Sequence, residues 1–345
     1  MNKVDKNKLL RVEIKEKNID DFIKYFNKIK EEMEHHEYLM NISKEYLLRM
    51  LKNNSHIFAY IYDDMVISCA MIMPCDKKAI ELSGLNLDYR EVMEYGIQFV
   101  HPNYRGNNIQ YYMIDDIRYY ALAKGFKYAI GVINKDNEYS NNNAKKWGKL
   151  IKEIKLDGKI DNVYFNDLSY KEKEKINIKE LKREELKKED LIYYRNYLNK
   201  IRDNMKQPEF LGLFESDVLN NLLENDSHIY IYKYKDDIVS SSMIIPSTKK
   251  DLESFGIDLD YREVVDYGQQ VVSDKYRGNG LQQYMLEELE IISKEKGYKY
   301  AVTTVHPDNI YSVNNTLKNN FELIGSKEFD RGPRNIYIKK LKRNN

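Results

Sequence analysis

One segment of this chain occurs twice. Residues 55–143 align with residues 227–315 at a constant offset of 172 without a gap, and 42 of the 89 aligned positions are identical. A repeat of this length is too long for a solenoid unit and matches the size of a domain. The 345-residue chain is therefore predicted to contain two copies of one domain, residues 1–170 and 171–345, with a charged bridge at residues 170–175.

The composition excludes several classes of partner. The 56 basic and 55 acidic residues leave a net charge of +1. The chain therefore lacks the large excess of positive charge that would attract nucleic acid or an anionic membrane. The longest apolar runs have the length of strands, and the N-terminus lacks the apolar region of a signal peptide. Cys69 and Cys75 correspond to serines in the second copy. We therefore expect a cytoplasmic protein with buried, reduced thiols, without a metal site.

The hydrophobic pattern predicts the same order of elements in both copies: one strand, two helices, three strands, a helix, a strand, a helix and two strands. In the second copy the strands are predicted at 176–181, 228–234, 238–245, 264–272, 298–305, 321–327 and 335–341. The helices are predicted at 188–205, 216–223, 278–296 and 309–319, and residues 248–262 are expected to be a polar connection. The last two strands of the first copy are expected near 150–156 and 162–168.

A glycine-containing motif lies between a predicted strand and the longest helix of each copy. It reads Tyr104-Arg105-Gly106-Asn107-Asn108-Ile109-Gln110 in the first copy and Tyr276-Arg277-Gly278-Asn279-Gly280-Leu281-Gln282 in the second. Glycines allow a sharp turn, and the free N–H groups of the following helix's first turn then point at an anion. The motif is suited to a pyrophosphate, and the alternative is a turn that only starts a helix.

Two better-known phosphate loops do not fit this motif. A dinucleotide fingerprint requires a third glycine and an acidic residue about 20 positions later, and neither follows Gly280 in that pattern. A Walker loop requires Gly-Lys-Ser/Thr, which is also missing.

With this motif at the start of the long helix, the strand order resembles the GNAT superfamily of N-acetyltransferases, whose signature is Gln/Arg-x-x-Gly-x-Gly/Ala. The segment from His306 to Phe321 resembles the superfamily's downstream Asn-x-x-Ser/Ala…Lys-x-Gly-Phe pattern. The resemblance covers nearly the whole chain. It implies the α/β (α+β) class, with two tandem GNAT acyl-CoA N-acyltransferase folds, each a mixed, mostly antiparallel twisted sheet flanked by helices.

The resemblance implies acetyl-CoA, or another acyl-CoA, as the cofactor. Its pantetheine arm would lie along Val271, Val272 and Ser273, with Asn309 near the same arm and Ser312 starting the next helix. The pyrophosphate would lie against Arg277, Gly278, Asn279, Gly280, Leu281 and Gln282. Two positions depart from the family pattern, because Gln282 replaces the last small residue of the signature and Asn320 replaces a glycine.

The second copy is the better candidate for binding the cofactor. It has Gly280 where the first copy has Asn108. Asparagine tolerates positive φ, so the turn is expected to survive, but its side chain occupies space that a phosphate needs. The first copy is therefore expected to be a structural partner, and the two copies to form an internal pseudo-dimer.

Candidate catalytic residues follow from the same resemblance. The histone acetyltransferase branch places a carboxylate base at the position of Asp266, which is Glu94 in the first copy. His306 is a second titratable candidate. Many GNAT enzymes use a tyrosine acid at the position of Thr316, so that role is open, and Tyr311 is its nearest substitute. The alternatives are structural roles. Asp266 would be an acid that faces solvent, and His306 would be a hydrogen-bonded residue of a turn.

The acceptor is predicted to be a small-molecule amine that carries an anionic group. Arg331 and Arg334 occur only in the second copy, between its last two strands, and two arginines suit a carboxylate or a phosphate. The resemblance implies acetyl-CoA-dependent N-acetylation of this amine, with the active site in the second copy. The alternative is a non-catalytic protein that binds or senses acyl-CoA.

Overall fold

The computed structural model describes residues 3–156, 158–169 and 174–341. The chain divides into two compact units, Met1–Lys171 (unit 1) and Glu172–Asn345 (unit 2). Of the charged bridge predicted at 170–175, residues 170–173 lie outside the described residues.

Unit 1 contains a seven-stranded sheet flanked by helices. The strand order is β1-β2-β3-β4-β5-β7-β6, and only the β4–β5 pair is parallel. The elements are β1 (Leu10–Glu13), α1 (Ile19–Glu31), α2 (Lys44–Lys52), β2 (His56–Tyr62), β3 (Met65–Pro74), α3 (Lys77–Ser83), β4 (Val92–Val100), α4 (Ile109–Ala123), β5 (Tyr128–Asn134), α5 (Glu138–Ala144), β6 (Lys149–Leu156) and β7 (Lys159–Asp167).

Unit 2 repeats this arrangement with its fourth strand in two pieces. The order is β14-β15-β13-β11-β10-β9-β8, β12 pairs with β10, and only β11–β13 is parallel. The elements are β8 (Lys182–Glu185), α6 (Leu191–Asp203), α7 (Ser216–Glu224), β9 (His228–Tyr234), β10 (Asp237–Pro246), α8 (Lys249–Phe255), β11 (Val264–Asp266), β12 (Val271–Val272), α9 (Leu281–Glu295), β13 (Tyr300–Val305), α10 (Ile310–Lys318), β14 (Glu322–Phe329) and β15 (Gly332–Lys340).

Helices cover both faces of the sheet in unit 2. The crossover that joins the parallel strands places α9 on one face, where Met285 and Leu289 pack on Val265 and Ala301. The other face is covered by α6 and α7, which pack on β9 and β10, and by α8, whose Leu252 contacts Val264 and Val302. We call these two surfaces the α9 face and the α8 face.

The predicted fold class is confirmed by these two mixed, mostly antiparallel sheets, although three segments differ from prediction. The strand predicted at 176–181 begins only at Lys182, because the Asn177 side chain accepts a hydrogen bond from the Lys179 N–H and closes a turn. The predicted polar connection at 248–262 contains α8. The strand predicted at 264–272 is interrupted between Asp266 and Val271.

None of the described helices combines the length and the apolar character that crossing a lipid bilayer requires.

Candidate functional site

The interruption of the fourth strand opens a cleft in unit 2. The Tyr267 N–H still donates to the Val302 carbonyl at 2.9 Å, and the Gly268 carbonyl accepts from the Met243 N–H at 3.2 Å. Within the described residues, the N–H groups of Gly268, Gln269 and Gln270 have no acceptor. β13 pairs with β11 but not with β12, so the sheet is open at this point.

Gly268 packs closely against Ile245 at the interruption. A Cβ on this residue would lie 2.8 Å from Cδ1 of Ile245, so the Ile245 side chain would have to move. Because Gly268 has no side chain, its backbone lines the cleft directly.

A cavity of about 390 Å³ occupies the opening and reaches both faces of the sheet. Residues of α10 line it on the α9 face, and residues of α8 and the last two strands line it on the α8 face. The wall includes these predicted site residues: Asp266, His306, Asn309, Ser312, Arg331 and Arg334.

The short strand β12 lies beside the cleft, although residues 271–273 do not line the cavity. The Ser273 N–H donates to the Val239 carbonyl at 2.9 Å, on the side of β10. Because backbone groups alternate in direction along a strand, the N–H and C=O of Val272 face the opening. The Ser273 hydroxyl lies 3.0 Å from the Ile238 carbonyl and 3.1 Å from the Tyr197 hydroxyl.

The predicted phosphate loop forms a tight turn before α9. Gly278 and Gly280 have φ values of 87° and 74°. The Tyr284 N–H donates to the Gly280 carbonyl, and no side chain caps the helix. The three preceding N–H groups, those of residues 281–283, therefore remain available to an anion at the positive end of the helix dipole.

Most side chains of this loop hold the turn itself. Asn279 accepts from the Ile176 N–H at 3.2 Å and donates to the carbonyls of Glu174 and Tyr276. Arg277 pairs with Asp274 at 2.9 Å.

Gln282 connects the phosphate loop to α10. It donates to the Ser312 hydroxyl at 3.0 Å and accepts from the Asn315 amide at 2.8 Å. The loop therefore offers an anion mainly its backbone.

Unit 1 builds the same turn with a different residue. Asn108 has a φ of 55° and starts α4 in the position that Gly280 occupies before α9. Asn107 accepts from the Val4 N–H and donates to the Tyr104 carbonyl, as its counterpart Asn279 does in unit 2. The turn thus survives in unit 1, with a side chain at the place where unit 2 has none.

Asp266 is the carboxylate nearest to the interruption, since it is the last residue of β11. It is partly buried on the cavity wall, and among the described residues no donor is hydrogen-bonded to its oxygens. Burial raises the pKa of Asp266 to about 7, and the charge of Asp251 adds to the shift. Burial and Asp76 likewise raise the pKa of Glu94 in unit 1.

Asp251 belongs to the first turn of α8. Its carboxylate accepts the Thr248 N–H at 2.9 Å and the Thr248 hydroxyl at 2.5 Å, while Thr248 caps the helix in return. These bonds fix the Asp251 carboxylate at the start of α8, on the wall of the cavity that it shares with Asp266.

His306 lies at the end of β13 and is only 9% exposed. Its Nδ1 accepts from the Asp308 N–H at 3.2 Å, which leaves the proton of the neutral ring on Nε2. The ring packs against Phe210, with centroids 4.7 Å apart. In this tautomer His306 offers the cavity a hydrogen-bond donor and not a base.

The loop between α6 and α7 closes over the arginines. Arg334 donates to the Glu209 carbonyl at 2.8 Å and to the Pro333 carbonyl at 2.9 Å. The Gln269 amide donates to the Gly212 carbonyl. This loop therefore connects the interrupted strand to the hairpin of the last two strands.

Three predicted residues are placed less favourably for chemistry. Tyr311 is 85% exposed and does not line the cavity. The Thr316 hydroxyl donates to the Ser312 carbonyl at 2.9 Å, so it is bonded within its own helix. The Asn309 side chain caps α10 by accepting from the Ser312 N–H at 3.3 Å.

Sequence reasoning missed part of the wall. Asp251 could have been found, because Thr248-x-x-Asp251 is a capping pattern at a helix start. No local signal brings the four phenylalanines of the wall together, since they belong to three separate segments: Phe210, Phe214, Phe255 and Phe329.

No protein-family model and no curated protein matches the sequence. Solved structures do match, each over at most about half of the chain. An N-acetyltransferase from Staphylococcus aureus is 19% identical, with a TM-score of 0.38, over 47% of this chain and 99% of its own. A GNAT acetyltransferase from Elizabethkingia anophelis with acetyl-CoA bound is 15% identical, with a TM-score of 0.30, over 37% of this chain and 84% of its own. A spermidine N-acetyltransferase from Vibrio cholerae in complex with CoA and spermine is 13% identical, with a TM-score of 0.37, over 47% and 96%.

Each unit has the GNAT fold. The mixed, mostly antiparallel sheet flanked by helices and the glycine-containing turn before the long helix are those that the sequence resemblance implied.

Proposed function

We propose that the chain is an acetyl-CoA-dependent N-acetyltransferase that acts on the amine of a small molecule, with its active site in unit 2. One observation carries the proposal. A single cavity joins the unpaired amides of the interrupted strand to a carboxylate, Asp266, whose pKa lies near neutrality.

The backbone of unit 2 suits an acyl-CoA. Val272 and the free amides of residues 268–270 provide donors and acceptors for an extended amide-containing arm. In this proposal the pyrophosphate binds the N–H groups at the start of α9, which have no acceptor within the helix. A Cβ at Gly280 would meet only Cδ1 of Ile178, at 3.9 Å, so the space beside the turn is open. When bound, acetyl-CoA supplies an acetyl group activated as a thioester.

Asp266 is the base in this proposal. Acetylation requires the amine to lose a proton, and a carboxylate with a pKa of about 7 both exists partly ionised and holds a proton well at neutral pH. The unpaired amides are placed to donate hydrogen bonds to the oxygen on which negative charge develops. His306 contributes its Nε2–H as a further donor at the cavity wall.

Unit 2 is favoured over unit 1 because of the turn before the crossover helix. Asn108 and Gly280 share a left-handed conformation, but only Gly280 leaves the adjoining space free of a side chain.

A non-catalytic acyl-CoA-binding or sensing protein is the second candidate. It is favoured by the outward position of Tyr311 and by the Thr316 hydroxyl, which is bonded within α10. Neither is placed to return a proton to a departing thiolate.

Turnover separates the two candidates. Release of free CoA thiol from acetyl-CoA is measured with a panel of small amines for wild type, Asp266→Asn and the matched unit 1 variant Glu94→Gln. We expect turnover by wild type and Glu94→Gln and a loss of about 10²–10⁴-fold in Asp266→Asn. Acetyl-CoA binding without turnover of any amine would establish the sensing function instead. Full activity of Asp266→Asn would remove Asp266 as the base.

A further inference from the structure

The α8 face of the cavity presents a carboxylate and an arginine on one surface. Asp266 of β11 pairs with Val302 of β13, which pairs with Ile338 of β15. Side chains alternate between faces along each strand, so Arg334, four residues before Ile338, shares the face of Asp266. The register places the Cα atoms of Asp266 and Arg334 roughly 16 Å apart on this face, and both residues line the cavity. That interval suits a small molecule whose amine and anion lie close together.

Arg331 and Arg334 place two positive charges close together on this face, and Glu328 and Glu209 oppose them only from a distance. Among the described residues, no carboxylate forms an ion pair with Arg331 or Arg334. Arg334 is only 9% exposed, and burial together with the charge of Arg331 lowers its pKa. Burying one guanidinium beside another costs free energy unless an anion joins them. The two guanidinium groups therefore form a site for a negatively charged group.

Arg331 is the freer of the two arginines. Its guanidinium lies 5.5 Å from the centroid of the Phe214 ring and against Gly212, where a Cβ would collide with it. Arg334, by contrast, uses part of its guanidinium to hold the carbonyls of Glu209 and Pro333. Among the described residues no acceptor is hydrogen-bonded to Arg331, so its guanidinium can bind a carboxylate.

Aromatic side chains surround the arginines. Phe255 of α8 and Phe329 of β14 pack edge to face, with centroids 6.3 Å apart, while Phe210 packs on His306 and Phe214 on Arg331. An apolar wall with a few convergent polar groups binds a ligand that is itself partly apolar. A polyamine is disfavoured, because its second cation would lie beside two arginines.

Building on the proposed acetyl transfer, we propose that the acceptor is a small amine that also carries a carboxylate and an apolar or aromatic side chain, the class of the hydrophobic α-amino acids. The carboxylate binds Arg331 and Arg334, the side chain lies among the phenylalanines, and the amine faces Asp266. In the reaction the amine nitrogen forms the amide bond as the thioester C–S bond breaks. The amine's proton passes to Asp266, and the electron pair leaves with the sulfur.

Binding of the product tests this inference without requiring turnover. N-acetyl-L-phenylalanine and N-acetylphenethylamine differ only in the carboxylate, and calorimetry of each with the full chain, with and without CoA, measures its contribution. We expect wild type to prefer the carboxylate-bearing compound roughly thirtyfold, the size of a charge-assisted pair. N-acetylglycine, which lacks the apolar group, is expected to bind more weakly than N-acetyl-L-phenylalanine.

Matched variants identify the residues responsible. Arg331→Gln is expected to reduce the preference for the carboxylate at least about tenfold, with CoA affinity unchanged. Arg334→Lys retains the positive charge but loses the planar guanidinium group. It is expected to reduce the preference for the carboxylate in part. Arg262→Gln makes the same change in charge at an exposed arginine paired with Asp260, and should leave the preference intact.

The outcomes separate this inference from the proposed function. Equal binding of the two compounds by wild type, or an unaltered preference in both Arg331→Gln and Arg334→Lys, would overturn it. If L-phenylalanine and phenethylamine are acetylated equally well, the acceptor class is wrong while acetyl transfer stands. If the carboxylate is preferred but no amine turns over, the anion site stands and catalysis fails.

Discussion

Asp251 shares the cavity with Asp266, where burial first and then the charge of Asp251 raise the pKa of the Asp266 carboxyl to about 7. The Asp251 carboxylate accepts two hydrogen bonds from Thr248, which hold it at the start of α8. The pKa of Asp266 is thereby adjusted for exchange of a proton near neutral pH.

The first prediction concerns the pH dependence of turnover. Because the base must be ionised, kcat/KM for the acceptor should rise as the pH increases through about 7, the pKa of Asp266. The measurement is acceptor kinetics from pH 5 to pH 9 at saturating acetyl-CoA. Glu94→Gln should retain this profile. A profile that stays flat between pH 6 and pH 8 would contradict the assignment.

The second prediction uses the neighbouring acid. Asp251→Asn keeps an oxygen that can accept from Thr248 but removes the negative charge, so ionisation of Asp266 becomes easier. The rising limb of the pH profile should move to lower pH by about half to one unit. A limb that stays in place, in a variant whose far-UV circular dichroism matches wild type, would show that burial alone sets the pKa.

The third prediction is a gain of stability. The pKa of Asp266 is higher in the folded chain than the ordinary value of about 3.9. The folded state therefore binds more protons between about pH 4 and pH 7, and stability falls as the pH rises through that window. Asp266→Asn should be more stable than wild type at pH 8 by on the order of 1–4 kcal/mol, and nearly equal to it at pH 4. Urea unfolding at the two pH values checks both statements.

The fourth prediction concerns the two glycines at the equivalent point of the fourth strand. In Gly268→Ala the new Cβ would lie 2.8 Å from Cδ1 of Ile245, whereas in Gly96→Ala it would lie 3.2 Å from Sδ of Met71. Both changes should destabilise by about 1–3 kcal/mol through overpacking. Only Gly268→Ala should also weaken acetyl-CoA binding, since only it disturbs the proposed cleft. Calorimetric titration of acetyl-CoA into both variants measures this difference. Equal affinities of the two variants for acetyl-CoA would contradict the proposed position of the cleft.

The sequence predicted most strands and helices because their signals are local. Alternation along His228–Tyr234 and helical spacing along Leu191–Asp203 follow from which side chains face the core. The interruption after Asp266 has no such signal, because residues 264–272 keep a strand-like composition. It depends on contacts made by distant segments, such as the Gly212 carbonyl that accepts from Gln269.

The candidate site was predicted unevenly for the same reason. Asp266 was indicated by its place relative to the motif, His306 by its titratable ring and Arg334 by its occurrence only in the second copy. The structure brings all three to one cavity. Tyr311 was chosen by its nearness in sequence to Thr316, but the two residues are five positions apart and therefore lie on different faces of α10. The phenylalanines of the α8 face come from separate segments, and only the folded sheet brings them together.

The most direct test of the account is a calorimetric titration of CoA into the full chain, with one variant in each copy of the loop. Gly280→Trp and Asn108→Trp place the same side chain at equivalent left-handed positions, with φ values of 74° and 55°, so they share the same strain. We expect wild type and Asn108→Trp to bind one CoA per chain with equal affinity, and Gly280→Trp to bind at least about tenfold more weakly. Unchanged affinity in Gly280→Trp, or a loss confined to Asn108→Trp, would contradict a cofactor site in unit 2.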